Sequence, residues 1–96
     1  MREAMDYILD PDGNKIMIEA EQKGMKQNLA DQYVRMRKDM KLTQEQVSRR
    51  SGIPRSNIAR FESGRYNPSL EMMVKMAAAI GLRVQIQLVP DKEAKG

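Results

Sequence analysis

The sequence predicts a mainly α chain: four to five short helices, followed by a β-strand and preceded by a β-hairpin. Three observations carry this reading. Between Asn28 and Gly81 apolar side chains recur at three- and four-residue spacing and are punctuated by Gly52, Gly64 and Gly81. That is the pattern of helices that bury one face and stop at residues able to take φ > 0. Over 82–89, Leu82, Val84, Ile86 and Leu88 alternate with Arg83, Gln85 and Gln87, the period of a half-buried strand. Near the N-terminus, "YILDPDGNKIMI" (7–18) places Pro-Asp-Gly between two apolar runs, which suits a hairpin turn.

The elements follow in order. After the hairpin, "EAEQKGMKQ" (19–27) is polar and contains Gly24, so it reads either as a linker or as the start of the next helix. From Asn28, Ala30, Tyr33, Val34, Arg37 and Met40 fall on one helical face. Thr43 with Gln46 three residues on forms a capping box, which opens a second helix over about Gln44–Ser51 with Val47 inward. Gly52 supplies the turn. Pro54 suits the first turn of a third helix over 54–63, because its missing N–H costs nothing there. Gly64 is its expected C′ residue. Ser69 caps a fourth helix with an apolar face of Leu70, Met73, Val74, Ala77 and Ile80. Met36, Met40, Met73 and Met76 fall on helical spacing and are assigned to core packing rather than to an adaptable surface. The resulting organisation is an N-terminal arm or hairpin over 1–27, a helical domain over 28–81, a strand over 82–90 and a polar tail over 91–96.

Composition narrows the function. The chain has 96 residues, no cysteine, no histidine and no tryptophan. One small domain is expected, with no disulfide and without the usual zinc ligands. The commonest general base and the best nucleophile are missing. Neither a catalytic site nor a metal site nor a cofactor is expected. No apolar run approaches the ~20 residues of a membrane span, so a cytoplasmic location without membrane contact is the default.

The net charge of +4 is unevenly spread. Residues 1–34 carry four Lys/Arg against seven Asp/Glu, a net of −3. Residues 35–66 carry nine against three, a net of +6, and residues 67–96 carry four against three, a net of +1. The middle third is therefore either a solvated basic face or an electrostatic footprint for nucleic acid.

Two short helices joined by a glycine turn have helix-turn-helix geometry. Here "LTQEQVSRRSGIPRSNIARFESGRYNPSLEMMVKMAAAIGL" resembles the phage-repressor (Cro/XRE) helix-turn-helix family over roughly residues 29–82. The matching points are Thr43-Gln44, Val47-Ser48, Ser51-Gly52-Ile53, Ile58, Phe61-Glu62-Ser63-Gly64, Pro68-Ser69-Leu70 and Ala79-Ile80-Gly81. Two positions depart from the family: Ser48 replaces the usual Ala at the contact between the helices, and Pro54 replaces a hydroxyl N-cap. The resemblance implies a repressor-type domain in which the third helix enters the major groove.

With Ile58 and Phe61 inward, the opposite face of that helix is centred on Ser56, Arg60 and Ser63, flanked by Arg55 and Asn57. Arg55, Ser56, Asn57 and Arg60 are the expected base readers, since Arg grips guanine and Asn pairs with adenine. The competing readings are that an arginine, Arg55 above all, contacts only phosphate and that Asn57 satisfies a local backbone group. Gln44 resembles the family position that holds a phosphate and braces the recognition helix. Ser63, Arg65 and Tyr66 are further expected phosphate contacts. Arg37 and Glu62, by the same resemblance, form an ion pair tying the first helix to the end of the third.

A single amphipathic strand needs a partner. Leu82, Val84, Ile86 and Leu88 are expected to dimerise, pairing with the same strand of a second copy, as helix-turn-helix proteins on palindromic DNA do. The 7–18 hairpin is the alternative partner. A compact helix-turn-helix followed directly by "GLRVQIQLVP" is similar to the HigA/HipB-like antitoxins of type II toxin–antitoxin pairs. That resemblance implies a homodimer on its own palindromic operator and a RelE/HigB-like toxin as partner. A plain transcriptional regulator without a toxin, and a protein-interaction module on the same fold, are the alternatives.

Overall fold

The structure is a computed structural model and describes residues 6–91. Its elements are β1 (Tyr7–Leu9), β2 (Lys15–Met17), α1 (Ile18–Asp39), α2 (Gln44–Ser51), α3 (Arg55–Glu62) and α4 (Leu70–Ala79). The strands form an antiparallel hairpin with Tyr7 opposite Met17 and Leu9 opposite Lys15. Asp10 holds the turn: its carboxylate accepts the N–H groups of Asp12 and Asn14, each at 2.9 Å. Those bonds, that from Asn14 foremost, keep the Asp10 carboxyl below the usual carboxylate range.

Helix α1 answers the question left open at 19–27. It runs unbroken from Ile18 for 22 residues, about 33 Å at 1.5 Å per residue. Its first turn is acidic (Glu19, Glu21) and its last is basic (Arg37, Lys38), the arrangement the helix dipole favours. Only its second half joins the core, through Ala30, Tyr33 and Arg37. Val34 is half-buried and Met40 exposed, so the inward face of α1 is narrower than expected.

Helix α2 begins as predicted. The Thr43 side chain accepts from the Gln46 N–H at 3.1 Å, and the Gln46 amide oxygen accepts from the Thr43 N–H at 2.8 Å. Pro54 is the N-cap of α3 rather than its first residue, and no side chain caps that end. Ser69 caps α4, accepting from the Met72 N–H at 3.0 Å.

The core gathers Tyr33, Val47, Ile53, Ile58, Phe61, Met72, Met76, Ala79 and Ile80, with Leu29, Leu42, Tyr66 and Leu82 against it. The phase of α4 corrects the expected one: Leu70 and Val74 are exposed, while Met72, Met76, Ala77 and Ala79 are buried. Nearly every residue of "LEMMVKMAAAI" is apolar or small, so periodicity could not orient it. Of the four methionines assigned to the core, Met76 is buried and Met73 half-buried, but Met36 and Met40 are exposed.

Tyr33 ties α1 to α3 and α4. Its ring meets Phe61 edge-on, centroids 5.6 Å apart, and its hydroxyl donates to the Met76 carbonyl at 2.9 Å. Burial, reinforced by the Glu62 carboxylate, pushes the phenol up to about 12. Because the folded value lies above the unfolded ~10, this contribution is complete below pH ~10 and disappears as pH rises toward 12. Two units at ~1.4 kcal/mol each bound it at roughly 3 kcal/mol. Urea titrations from pH 9 to 12 should therefore give a steeper stability loss for the parent than for Tyr33→Phe. Parallel slopes would reject the assignment.

The expected strand over 82–89 is not a strand within this chain. The segment carries no ladder, and the sheet among the described residues has two strands, β1 and β2. Pairing with the hairpin is thus absent from the single chain. The segment instead runs beside α1. Leu82 and Val84 are half-buried, and Ile86 and Leu88 are exposed. Of the tail assigned to 91–96, residues 92–96 lie outside the described residues, as do residues 1–5 of the arm.

Candidate nucleic-acid interface

The α2–α3 unit is set by four residues around its turn. Gly52 ends α2 at φ +79°, and its N–H donates to the Ser48 carbonyl at 2.9 Å. A side chain there would meet nothing, but the left-handed backbone disfavours any Cβ. Ser48, one of the two departures from the family pattern, donates its hydroxyl to the Ile53 carbonyl at 2.6 Å. The extra oxygen at the helix–helix contact is thereby satisfied. Ser51 accepts from the Ile53 N–H at 3.1 Å, which turns the buried Ile53 under both helices.

Ile58 and Phe61 then anchor α3 from below. Arg55, Ser56, Ala59 and Arg60 are exposed, and Asn57 is half-buried at the edge of that face. The predicted readers are thus brought onto one short helix, three of them in its first turn. Among the described residues, Arg55, Arg60 and Arg65 take part in no ion pair.

The acid in α3 is turned away from this face. Glu62 receives Arg37 Nε at 2.7 Å and Nη2 at 2.8 Å, a bidentate pair with both side chains more than nine-tenths buried. Arg37 also donates through Nη1 to the Leu42 carbonyl at 2.8 Å. Hydrogen bonding to Glu62 holds the guanidinium above its already high value, so it stays charged. Gln44 donates to Glu62 Oε1 at 2.9 Å. One carboxylate therefore links α1, the start of α2 and the end of α3.

The other expected phosphate contacts are placed differently from one another. Arg65 is exposed in the loop after α3. The Ser63 hydroxyl already donates to the Arg60 carbonyl at 2.6 Å and accepts from the Arg65 N–H at 3.3 Å. Tyr66 is half-buried, its ring packed on the core.

Among the basic residues that the sequence pattern leaves unassigned, two hold defined positions. Arg50 donates to the Ala79 carbonyl at 3.0 Å and so closes the C-terminus of α4; nothing in the local pattern marks it. Lys41 takes φ +58° in the α1–α2 turn, a conformation costing a non-glycine residue about 1 kcal/mol. It sets an exposed cation three residues before Gln44, and its signal was its place just past the end of a helix.

Comparison with known proteins agrees with this architecture. The family described as helix-turn-helix matches residues 35–86. The immunity repressor protein of Bacillus phage phi105 is 43% identical over 49 residues, covering 51% of this chain and 34% of that protein. An uncharacterized HTH-type transcriptional regulator of Methanothermobacter thermautotrophicus is 44% identical over 45 residues, 47% of this chain and 65% of its own length. A protein of Neisseria meningitidis serogroup B named as a hypothetical transcription factor is 31% identical over 84 residues, 84% of this chain and 79% of that one. The chain thus matches about a third of the phage protein and just under two thirds of the archaeal one. No solved structure gives a match. Among the described residues no helix is long and apolar enough to cross a membrane.

Proposed function

Since the chain belongs to the phage-repressor (Cro/XRE) type of the helix-turn-helix family, we propose that it is a sequence-specific DNA-binding repressor of transcription. The observation that carries this is the outer face of α3. Its arginines have no acidic partner, while the one acid of the helix is locked underneath by Arg37 and Gln44. In this geometry the recognition helix lies in the major groove with its first turn toward the base edges. Arg55 and Arg60 are suited to guanine, Asn57 to adenine, and Ser56 to either. Gln44 keeps its second amide hydrogen for a phosphate, and the start of α2 adds backbone N–H groups of the kind anions favour. Arg65 reaches phosphate from the loop; Ser63 and Tyr66 support that loop.

Arg60→Ala tests the reading. It should cost ~1–3 kcal/mol on the true operator and relax specificity at one base pair. Competition titrations on operator and random DNA measure both. An equal loss on the two would assign Arg60 to phosphate alone.

The repressor acts as a homodimer on a palindromic operator, its two copies joined through Leu82, Val84, Ile86 and Leu88. The segment over 83–89 supports this, because it belongs to no ladder among the described residues.

The narrower function is antitoxin to a basic, RelE/HigB-like toxin. The acidic N-terminal third supports it, and so do Ile8 and Leu9, exposed on the hairpin that precedes α1. Deleting residues 1–17 should leave operator affinity within about twofold and abolish co-purification with the product of the neighbouring gene. The deletion stops short of Gln27, which covers Gly64 at the end of α3. Retained co-purification would remove the arm from the toxin interface.

A further inference from the structure

Each of the four helices α1–α4 is followed by a residue with left-handed backbone. Three of these residues are glycine: Gly52 after α2 at φ +79°, Gly64 after α3 at φ +83° and Gly81 after α4 at φ +79°. The fourth, after α1, is Lys41 at φ +58°, among the described residues the only non-glycine with positive φ. That conformation disfavours a Cβ. The chain therefore accepts strain at one helix end and avoids it at the other three. Strain of this kind gathers where a side chain has a use.

Packing within the chain supplies no such use. The Lys41 side chain is exposed and enters no ion pair among the described residues. It is not needed to close α1, because the Met36, Arg37 and Lys38 carbonyls already accept backbone N–H groups from Met40, Leu42 and Lys41. Nor does the helix dipole require it, since Arg37 and Lys38 already make the last turn basic.

Its neighbours define its place. The Leu42 carbonyl accepts from Arg37 at 2.8 Å, Arg37 grips Glu62, and Gln44 donates to Glu62 at 2.9 Å. The turn that carries Lys41 and the start of α2 are thus fixed to the same carboxylate. Three residues span at most about 11 Å. An ammonium on a flexible four-carbon stem therefore has within reach the phosphate beside the one offered to Gln44.

We propose that Lys41 binds the DNA backbone, its ammonium taking the phosphate adjacent to the Gln44 contact. The inference rests on the DNA-binding reading above and deepens it, extending the interface from α2 and α3 into the turn before them. A lysine meets phosphate as a point charge, and such a contact positions the protein without reading sequence. It also releases a counterion, so each one adds about 0.9 to the slope of log affinity against log salt. At physiological salt that slope is worth roughly fivefold in affinity.

The test uses the full chain, a duplex selected by the parent from a random-sequence pool, and a scrambled duplex of equal length. Lys41→Gly relieves the backbone, so its urea midpoint should be no lower than the parent's. Its affinity should nevertheless fall roughly fivefold for each copy bound, on both duplexes alike, with the salt slope smaller by about 0.9 per copy. Lys41→Gln, which keeps the side chain and loses the charge, should show the same loss. Lys41→Arg should bind as the parent does. Stability and affinity moving in opposite directions is a result that a purely structural lysine would not give. If Lys41→Gly and Lys41→Gln bind within twofold of the parent at an unchanged salt slope, while Arg60→Ala still loses affinity, the inference falls and the repressor stands. A loss confined to the selected duplex overturns it too, by making Lys41 a reader of sequence. A parent that selects no duplex removes both.

Discussion

Replacing Arg37 by alanine should lower the unfolding free energy by about 3–5 kcal/mol, the cost of breaking a buried ion pair by removing one partner. The size follows from burial. An exposed ion pair is worth ~1 kcal/mol or less, but the Arg37 and Glu62 side chains are only 9% and 7% exposed. Removing the guanidinium strands the Glu62 carboxylate in the interior with only Gln44 to bond it, and leaves the Leu42 carbonyl without its donor. A small domain is held by some 5–15 kcal/mol in total, so the variant should lie close to unfolded at 37 °C. Arg37→Lys should recover little, because an ammonium cannot make the two parallel bonds of the fork. Arg37→Met combined with Glu62→Leu should recover most of the loss, since it removes both charges together. Urea denaturation of the four proteins measures this. A loss below about 1 kcal/mol for Arg37→Ala would mean that the pair behaves as a surface contact.

That pair also marks how far the sequence could be read. Arg37 lies on the apolar face of α1, and only the family resemblance named Glu62 as its partner. Pattern alone finds an arginine on a buried face but not the acid 25 residues away. Local signals were legible where chemistry is local. The Thr43–Gln46 box and the φ > 0 glycines at 52 and 64 fixed where helices begin and stop. The start of α1 was not legible, because residues 18–28 have no buried side and thus no apolar period. The phase of α4 failed for the opposite reason, too many apolar residues to single out a face.

For the interface, the outer face of α3 follows from where Ile58 and Phe61 point, so its residues could be named in advance. What the side chains already hold could not. Hydrogen bonds at Ser63 and Gln44, and the packing of Tyr66, depend on rotamers and on neighbours brought in by the fold. Arg50 illustrates the same limit: a basic residue on the helix-turn-helix pair that closes another helix instead.

Ile86→Pro should reduce operator affinity by at least 100-fold without disturbing a DNA contact or the helical fold. In the single chain, Ile86 is 64% exposed and belongs to no ladder. Proline there therefore removes no hydrogen bond made by the helices and little buried surface, and melting of the helical domain should change by less than about 1 kcal/mol. Between two copies the same change removes a ladder donor and an apolar side chain from the centre of the pairing. The pairing would set the two recognition helices one DNA turn apart, ~34–36 Å, over half-sites ~10 base pairs apart. Once it is broken, each copy must bind its half-site alone. The tenfold loss for every ~1.4 kcal/mol then turns even a modest dimer energy into two orders of magnitude on the full operator, while affinity for an isolated half-site stays the same. Light scattering should find a monomer or a weak dimer, and titration should show the loss only on the palindrome. A tight Ile86→Pro dimer with unchanged operator affinity would rule out pairing through residues 82–89 and move the dimer contact to another surface, such as that of the exposed Leu70 and Val74 on α4.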